Sequence, residues 1–274
     1  MVTALTEQGR RWLQCSALEG CGQTSGVDVC GAMDIWNSEM IFKDYAELDS
    51  TNAEAKRLVD KGESGVFVVS TRRQTAGRGR YGRVWHAPAD NLSMTIAAPR
   101  PSVVQDFSTL SLMTGVVIHG VLQKLIGDQA VARIKWPNDV VVDDAKISGT
   151  LIEIDAARIY VGIGVNLLAA PSETIYPTTS LGRFHPIERL DLIEKIANTW
   201  VEQFHIWTRD GFASIAQTYT ANIWRRGEVM TVALNEARTE RVEGRCLGVD
   251  STGLLLLEKP DGEVQSFSTG DVGV

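Results

Sequence analysis

The chain has few of the features that mark secreted, metal-binding or membrane-spanning proteins. It holds four cysteines in 274 residues, without CxxC spacing or a neighbouring histidine, and this argues against a zinc site. Its longest apolar stretch, residues 110–126, is interrupted by polar residues. A membrane-spanning helix needs about 20 mostly apolar residues, so this stretch predicts a buried amphipathic helix. No basic segment followed by an apolar run starts the chain, so we expect no signal peptide and a cytoplasmic protein.

Positive charge is also scarce. The 27 Lys and Arg residues are outnumbered by 34 Asp and Glu residues, which gives a formal net charge of -7. This acidic balance argues against general nucleic-acid binding, although it leaves room for one local basic site. Because 44% of the residues are hydrophobic, the chain is able to bury one substantial core and a small second domain.

The residue pattern divides the chain into three parts. Residues 1–34, rich in Gly, Cys, Ser and Thr towards their end, predict a poorly ordered extension. Residues 35–225 alternate strand-like and helix-like patterns and are expected to form a ligand-binding domain. Residues 226–274 contain four short strand-like stretches separated by turn residues, and this pattern predicts a small β-barrel.

Two local signals indicate how the middle part folds. Thr51 and Glu54 have the spacing of a capping box, which predicts a helix that starts near Ser50 and ends near Val59. Four strand-like stretches between residues 131 and 167 are joined partly by short Asp-containing connections, which predict antiparallel hairpins. Further helices are expected over residues 108–127, 187–207 and 212–223.

The segment 72–85 carries the strongest chemical signal. Five arginines lie between Ser64 and Ala89, with no Asp or Glu among them. Glycines at 77, 79 and 82 allow the backbone to approach a ligand and to supply N–H groups. Arginine offers fork-shaped donors to phosphate or carboxylate. The segment therefore predicts an anion-binding loop that is mobile until an anion arrives, with a solvated basic surface loop as the alternative.

The same glycines imitate two nucleotide-binding motifs. Gly77, Gly79 and Gly82 match G-x-G-x-x-G, but neither a helix nor the required acidic residue follows them, so a dinucleotide fold is excluded. The chain also has no H-R-D or D-F-G sequence, which excludes a protein kinase.

A second polar cluster, Lys135–Asp139, reads Lys-Trp-Pro-Asn-Asp. Pro137 fixes the backbone at the end of a strand, and Asn138 has the donor and acceptor groups that suit an adenine edge. The alternative is an ordinary strand-to-turn segment with a surface ion pair. Lys146, on the next strand, is able to neutralise a developing acyl phosphate; the alternative is a lysine that faces solvent on a hairpin.

A third motif, Gly162–Asn166, ends a strand with the sequence Gly-Ile-Gly-Val-Asn. Glycines inside a strand permit close approach of a ligand or of another backbone. Asn166 is a second candidate for contact with a base edge. The alternative here is a β-bulge followed by a turn asparagine.

In their order and spacing, these motifs resemble the biotin–protein ligase family, in the monofunctional type without an N-terminal DNA-binding domain. The match runs roughly from residue 41 to residue 166, and the tail resembles the family's C-terminal SH3-like β-barrel. The resemblance implies an α+β fold in which a mixed, largely antiparallel sheet is backed by helices, as in lipoate ligases and class II synthetases. It implies activation of biotin by ATP to biotinyl-5'-AMP and pyrophosphate. The biotin would then pass to a lysine of a biotin carboxyl carrier protein domain.

The resemblance also implies roles for individual residues. Catalytic roles would belong to Lys146, Arg78 and Asp139, and Asp139 would orient or deprotonate the acceptor lysine. The implied biotin contacts are Ser50, Thr51, Gln74, Gly77, Arg78, Arg80, Lys146, Gly149 and Gly162. The implied ATP and adenylate contacts are Arg80, Arg83, Trp85, Lys135, Asn138 and Asn166. Mg²⁺ is expected with ATP, and no resident metal site is implied.

The chain departs from the family pattern at Tyr81, where some relatives carry arginine, and at Thr150, where an aliphatic residue is usual. Three other functions compete. A lipoate or octanoyl ligase shares the fold. A biotin-responsive repressor would need a DNA-binding domain, for which the residues before the first strand are too few, so we expect no nucleic-acid binding. The third is an inactive ligand-binding domain. Relatives dimerise through sheet edges, so a homodimer is a further expectation.

Overall fold

The computed structural model describes residues 40–273 except 103, 105, 106, 173, 175 and 236. The extension expected over residues 1–34 lies outside the described residues.

A seven-stranded sheet forms the larger part of the fold. Its strands run in the order β1-β2-β3-β7-β6-β5-β4, and only the β1–β2 pair is parallel. This arrangement confirms the prediction of a mixed, largely antiparallel sheet. The strand bounds are β1 Ile41–Tyr45, β2 Phe67–Thr71, β3 Leu92–Pro99, β4 Ala132–Lys135, β5 Asp139–Val142, β6 Ala145–Ile154 and β7 Arg158–Val165.

The predicted hairpins are present. Asp143 and Asp144 connect β5 to β6, and both have positive φ values, 49° and 63°. Two successive residues with positive φ form the tight turn whose twist matches that of the adjoining strands. Residues 155–157 connect β6 to β7, where the Oδ1 atom of Asp155 accepts hydrogen bonds from the backbone N–H groups of Ala157 and Arg158 at 2.9 and 2.7 Å.

Helices cover both faces of this sheet. On one face, α2 packs against α3 and against β4 to β6, while α1 covers β2, β3 and β7 on the other. Apolar residues are therefore buried on both faces, and in β3 the alternating polar residues Ser93 and Thr95 are buried as well. The helix bounds are α1 Thr51–Asp60, α2 Leu110–Ile126, α3 Arg189–Asp210 and α4 Ala213–Asn222.

The helix α2 is long and apolar enough to cross a membrane by length and composition alone, and it is the one such helix within the described ranges. Most of its surface is buried by α3, α4 and the sheet. Tryptophans of α3 also donate hydrogen bonds to this region, from Trp200 Nε1 to Thr114 Oγ1 at 3.0 Å and from Trp207 Nε1 to Thr109 Oγ1 at 2.9 Å. These contacts are those of a core helix of a globular domain.

The capping box predicted from Thr51 and Glu54 is wrong by one residue. The N-cap of α1 is Ser50, whose Oγ atom accepts from the backbone N–H of Ala53 at 3.5 Å. Thr51 lies inside the first turn, and its backbone N–H donates to Gln74 Oε1 at 2.9 Å. The side chain of Thr51 therefore remains available to groups outside the helix.

The C-terminal part forms a five-stranded antiparallel sheet in the order β11-β10-β9-β8-β12. Its apolar residues, including Val232 and Leu255, belong to the same core cluster as those of α2 and α3. The sequence pattern predicts four of these strands but not the three-residue β12. The bounds are β8 Val229–Ala233, β9 Arg241–Val249, β10 Leu255–Glu258, β11 Val264–Phe267 and β12 Asp271–Gly273.

Candidate active site

A cavity of about 360 Å³ lies between the start of α1, the arginine loop (residues 77–85), strands β4 to β7, and β12. A volume of this size is typical of sites for small molecules. It gathers residues from motifs that are more than a hundred positions apart in the sequence. The predicted site residues that line it are Ser50, Thr51, Gln74, Arg78, Arg80, Arg83, Trp85, Lys135, Asn138, Asp139, Lys146, Gly149, Gly162 and Asn166.

Gly77 is the one predicted site residue that does not line this cavity. It lines an adjoining shallow depression instead. Its carbonyl accepts a hydrogen bond from the backbone N–H of Trp85 at 3.0 Å, and a Cβ on Gly77 would stand 2.7 Å from the Trp85 carbonyl oxygen. Gly77 therefore closes the base of the arginine loop, where the two chain segments approach too closely for a side chain.

One end of the cavity is polar and uncharged. The segment after β2 runs beside the start of α1, because Thr75 N–H donates to the Leu48 carbonyl at 2.9 Å and Ala76 N–H to the Asp49 carbonyl at 2.8 Å. This pairing brings Gln74 against Thr51, with 3.3 Å between Oε1 and Oγ1. The end of the cavity thus presents hydroxyl and amide groups to a ligand.

Behind this polar end lie Thr95 and Glu153, which the motifs do not identify, and Asn52 of the cavity wall connects them. Asn52 Nδ2 donates to Glu153 Oε2 at 2.6 Å, and Thr95 Oγ1 lies 2.6 Å from Asn52 Oδ1. Glu153 Oε1 also lies 3.3 Å from Lys56 Nζ and 3.7 Å from Arg78 Nη2. The signal in the sequence is weak: Glu153 is a single carboxylate between apolar residues of a strand.

The other end of the cavity is cationic. Lys146 lines the cavity and its Nζ pairs with Asp139 Oδ2 at 2.7 Å, so this lysine, 27% exposed, does not extend freely into solvent as the alternative interpretation proposed. A register shift in the β5–β6 pairing, between Val140 and Val141, accompanies this orientation. A Cβ on Gly149 would stand 3.1 Å from Lys146 Nζ and 3.2 Å from Asp139 Oδ1. Gly149 therefore leaves the space in which this ion pair lies.

The arginine loop contains a short 3₁₀ turn, Arg80–Gly82, in which Tyr81 has a positive φ of 56°. Arg80 donates to Asn138 Oδ1 at 3.2 Å and to the Tyr81 hydroxyl at 2.8 Å. The Tyr81 hydroxyl also lies 2.9 Å from Thr269 Oγ1. The residue that departs from the family pattern thus links the loop to the C-terminal sheet.

Arg83 makes a second link between these parts, through an ion pair and hydrogen bond to Asp271 of β12. The hydrogen bond to Asp271 raises the pKa of Arg83. Burial raises the pKa of Asp271, but the hydrogen bond and charge of Arg83 outweigh it, so the pKa lies below its usual value. Asp271 lines the cavity but belongs to a strand that the sequence pattern does not predict.

Trp85 lies flat against the floor of the cavity. A Cβ on Gly164 would overlap its indole ring, and Lys146 Nζ lies 5.5 Å from the ring centroid. The indole Nε1 is buried and has no hydrogen-bond partner in the described part of the chain.

Neither strand pairing of β7 has a register shift, so the β-bulge alternative for Gly162–Asn166 is wrong. Its glycines serve close approach, to Asn52 at Gly162 and to Trp85 at Gly164.

The two asparagines predicted to contact adenine differ in which of their amide groups lack a hydrogen-bond partner. Asn138 uses both ends of its amide, since Nδ2 donates to the Thr150 carbonyl at 2.8 Å and Oδ1 accepts from Arg80. Asn166 donates to the Thr179 carbonyl at 3.1 Å, whereas its buried Oδ1 has no partner among the described residues. Asn166 therefore offers a free acceptor, whereas each end of the Asn138 amide already has one protein partner.

Lys135 lies between two aromatic rings. Its Nζ is 4.6 Å from the ring centroid of Tyr176 and 4.7 Å from that of Trp224. Burial lowers the pKa of Lys135. These cation–π contacts fix the amine at the edge of the cavity, opposite Asp139 in the β4–β5 register.

Fold and cavity together define a class of protein. It is an α+β enzyme whose cavity has a polar uncharged end for a ligand ring and a cationic end for carboxylate or phosphate. Among the residues that the structure describes, no three His, Cys, Asp or Glu side chains converge as metal ligands.

Comparison with known proteins makes the class specific. Residues 46–166 match the Biotin/lipoate A/B protein ligase family, and residues 231–273 match the Biotin protein ligase C terminal domain. A biotin–[acetyl-CoA-carboxylase] ligase of Paracoccus denitrificans is 34% identical over 79% of this chain and 94% of its own length. One of Mycobacterium tuberculosis is 30% identical over 83% and 86%. The chain belongs to the biotin protein ligase family, as its motifs predict.

A solved structure shows the same fold. The biotin protein ligase from Aquifex aeolicus, in complex with biotin and ATP, superposes with a TM-score of 0.73 at 24% identity. The match covers 85% of this chain and 97% of that one.

Proposed function

We propose that the protein activates biotin with ATP to form biotinyl-5'-AMP and pyrophosphate, and then transfers biotin to a lysine of a carrier protein. The observation that supports this most is the convergence of all but one of the predicted site residues on a single cavity. Its polar end suits the ureido ring of biotin, and its cationic end suits the carboxylate and the α-phosphate.

The first step brings two anions together. The biotin carboxylate attacks the α-phosphate, a mixed anhydride forms, and pyrophosphate leaves with its electron pair. Positive charge and alignment lower the barrier to such a reaction. Lys146 lies at the cationic end of the cavity, which Arg80 and Arg83 of the arginine loop also line. Mg²⁺ would enter with the nucleotide phosphates, because this cation is usually held by substrate phosphates with one or two carboxylates.

The second step needs a neutral amine. A lysine of the carrier attacks the anhydride carbonyl, AMP leaves, and the amine loses a proton. Asp139 is the carboxylate that pairs with Lys146 at the cationic end, and its Oδ1 has no hydrogen-bond partner in the described ranges. It is therefore placed to accept or orient the N–H of the acceptor lysine. The carrier would be a biotin carboxyl carrier domain; a cytoplasmic location, a homodimer and the absence of nucleic-acid binding stay predictions.

The test is transfer of labelled biotin to a carrier domain in the presence of Mg·ATP. Wild-type protein should label the carrier, and Lys146→Ala should lower the rate by about 100-fold or more, as for loss of one transition-state donor. Lys124→Ala, at an exposed position of α2, is the matched control and should keep the wild-type rate. A parallel reaction with labelled lipoate separates the two ligase activities. Lipoate transfer without biotin transfer would contradict the proposal.

A further inference from the structure

A continuous row of side chains extends from the polar end of the cavity into the protein. Thr51 Oγ1 lies 2.8 Å from Thr95 Oγ1, Thr95 Oγ1 lies 2.6 Å from Asn52 Oδ1, and Asn52 Nδ2 lies 2.6 Å from Glu153 Oε2. Thr51, Asn52 and Thr95 are at least 95% buried. Buried polar groups must pair in a consistent direction, because each hydroxyl has only one hydrogen to donate.

Glu153 determines the direction in which the hydrogen bonds of this row are donated. Burial raises the pKa of Glu153, but the hydrogen bond from Asn52 and the positive charge of Lys56 outweigh it, so its pKa lies below the usual value. An ionised carboxylate only accepts hydrogen bonds, and therefore Asn52 must turn its Nδ2 towards Glu153. The amide oxygen Oδ1 of Asn52 then faces Thr95 and is able only to accept.

The orientation of Asn52 fixes the hydrogen bonds of the two threonines. Thr95 donates its one hydroxyl hydrogen to Asn52 Oδ1, since two acceptors 2.6 Å apart would otherwise repel each other. Thr95 Oγ1 must then accept from Thr51, whose hydrogen is used in turn. The contact of Thr51 Oγ1 with Gln74 Oε1, at 3.3 Å, is left without that hydrogen, and Gln74 Oε1 receives the Thr51 backbone N–H instead.

We propose that Glu153, Asn52 and Thr95 are positioning residues that fix the Thr51 hydroxyl as an acceptor for an N–H group of the bound ligand. The inference rests on the proposed function, in which that N–H belongs to the ureido ring of biotin. Thr51 and Asn52 line the cavity, whereas Thr95 and Glu153 do not and act through these two residues. A ring that offers an acceptor in place of this N–H meets the lone pairs of Thr51 and binds weakly.

The test measures the affinity of the protein for biotin and for two cyclic carbamate analogues, each with one ureido N–H replaced by oxygen. Calorimetry without ATP gives each Kd directly. Wild-type protein should discriminate against at least one analogue. In Thr95→Val the Thr51 hydroxyl is free to rotate and donate, so this discrimination should fall by about 10-fold, the factor of one hydrogen bond, with the analogue itself binding more tightly. Thr95→Ser keeps the hydroxyl and should keep the wild-type ratio.

Tighter binding of the analogue distinguishes positioning from damage, since a merely structural defect weakens all three ligands. If Thr95→Val does not fold, Glu153→Gln replaces it; a glutamine is able to present an N–H to Asn52, and the discrimination should again fall. Equal weakening of biotin and both analogues would overturn the inference. If the protein binds biotin and discriminates against the analogues as expected but does not transfer biotin, the proposed ligase function is contradicted, whereas the inference about the positioning residues is supported.

Discussion

At the scale of single residues, two glycines leave the space that other side chains of the site occupy. Gly149 leaves room for the Lys146–Asp139 pair, and Gly164 for the indole of Trp85. Both positions lie on strands of the sheet, where a glycine otherwise weakens the strand. Gly149 in β6 and Gly164 in β7 are explained by the side chains that pack against them and not by an unusual backbone conformation.

Gly164→Ala should therefore displace Trp85 from the floor of the cavity. Forcing a methyl group into such a contact costs about 1–3 kcal/mol, and the KM for ATP should rise about 10-fold if the indole packs on the adenylate. Steady-state kinetics with thermal unfolding measures both effects. Gly120→Ala is the control, because a Cβ there has open space, and alanine stabilises a helix relative to glycine by about 1 kcal/mol. An unchanged KM in Gly164→Ala would show that the Trp85 position is unimportant for nucleotide binding.

Motifs identify the residues that would touch a ligand more readily than those behind them. The arginine loop and Lys135–Asp139 each combine, within a few consecutive residues, residue types that indicate ligand binding. The structure brings these two segments together at one cavity. Thr95 and Glu153 give no such signal, because the sequence around a single polar residue in an apolar strand does not show which residues will lie beside it in the sheet. The Thr51–Glu54 spacing misleads for the same reason: the partner of Thr51 is Gln74, from another element.

At the scale of elements, the arginine loop is joined to β12 by Arg83–Asp271 and by Tyr81–Thr269. Local periodicity predicts the four helices and most strands within a few residues, since each depends on its own burial pattern. It does not predict β12, whose three residues are too few for a pattern and whose pairing with β8 comes from tertiary contact.

Asp271→Asn should lower thermal stability at neutral pH by about 1 kcal/mol, or about 2–4 °C, by removing its ion pairs with Arg83 and Arg238. The pKa of Asp271 is depressed in the folded state. Its contribution is therefore fully present above the unfolded pKa of about 4 and is lost as the pH falls through the lower folded value. Unfolding curves from pH 7 to pH 2 should converge for the two proteins at the acid end. Asp128→Asn, at an exposed position, is the control; a constant difference at every pH would contradict the assignment.

At the scale of the whole molecule, the C-terminal sheet is part of the site and not an appended module. Trp136, next to Pro137 in the second motif, donates from Nε1 to the Gly253 carbonyl at 3.4 Å, and the two sheets share one apolar core. The sequence predicts the existence of both parts from their composition and turns. Their contact depends on pairs such as residues 83 and 271, and no local pattern relates positions so far apart.

Adenylation of biotin in this cavity is the central step of the proposed function, and exchange of labelled pyrophosphate into ATP tests that step without a carrier protein. Because formation of biotinyl-5'-AMP is reversible, wild-type protein should incorporate label into ATP only when biotin is present, and Lys146→Ala should reduce the exchange by about 100-fold. Exchange that proceeds equally without biotin, or no exchange with biotin and Mg·ATP both present, would contradict the account.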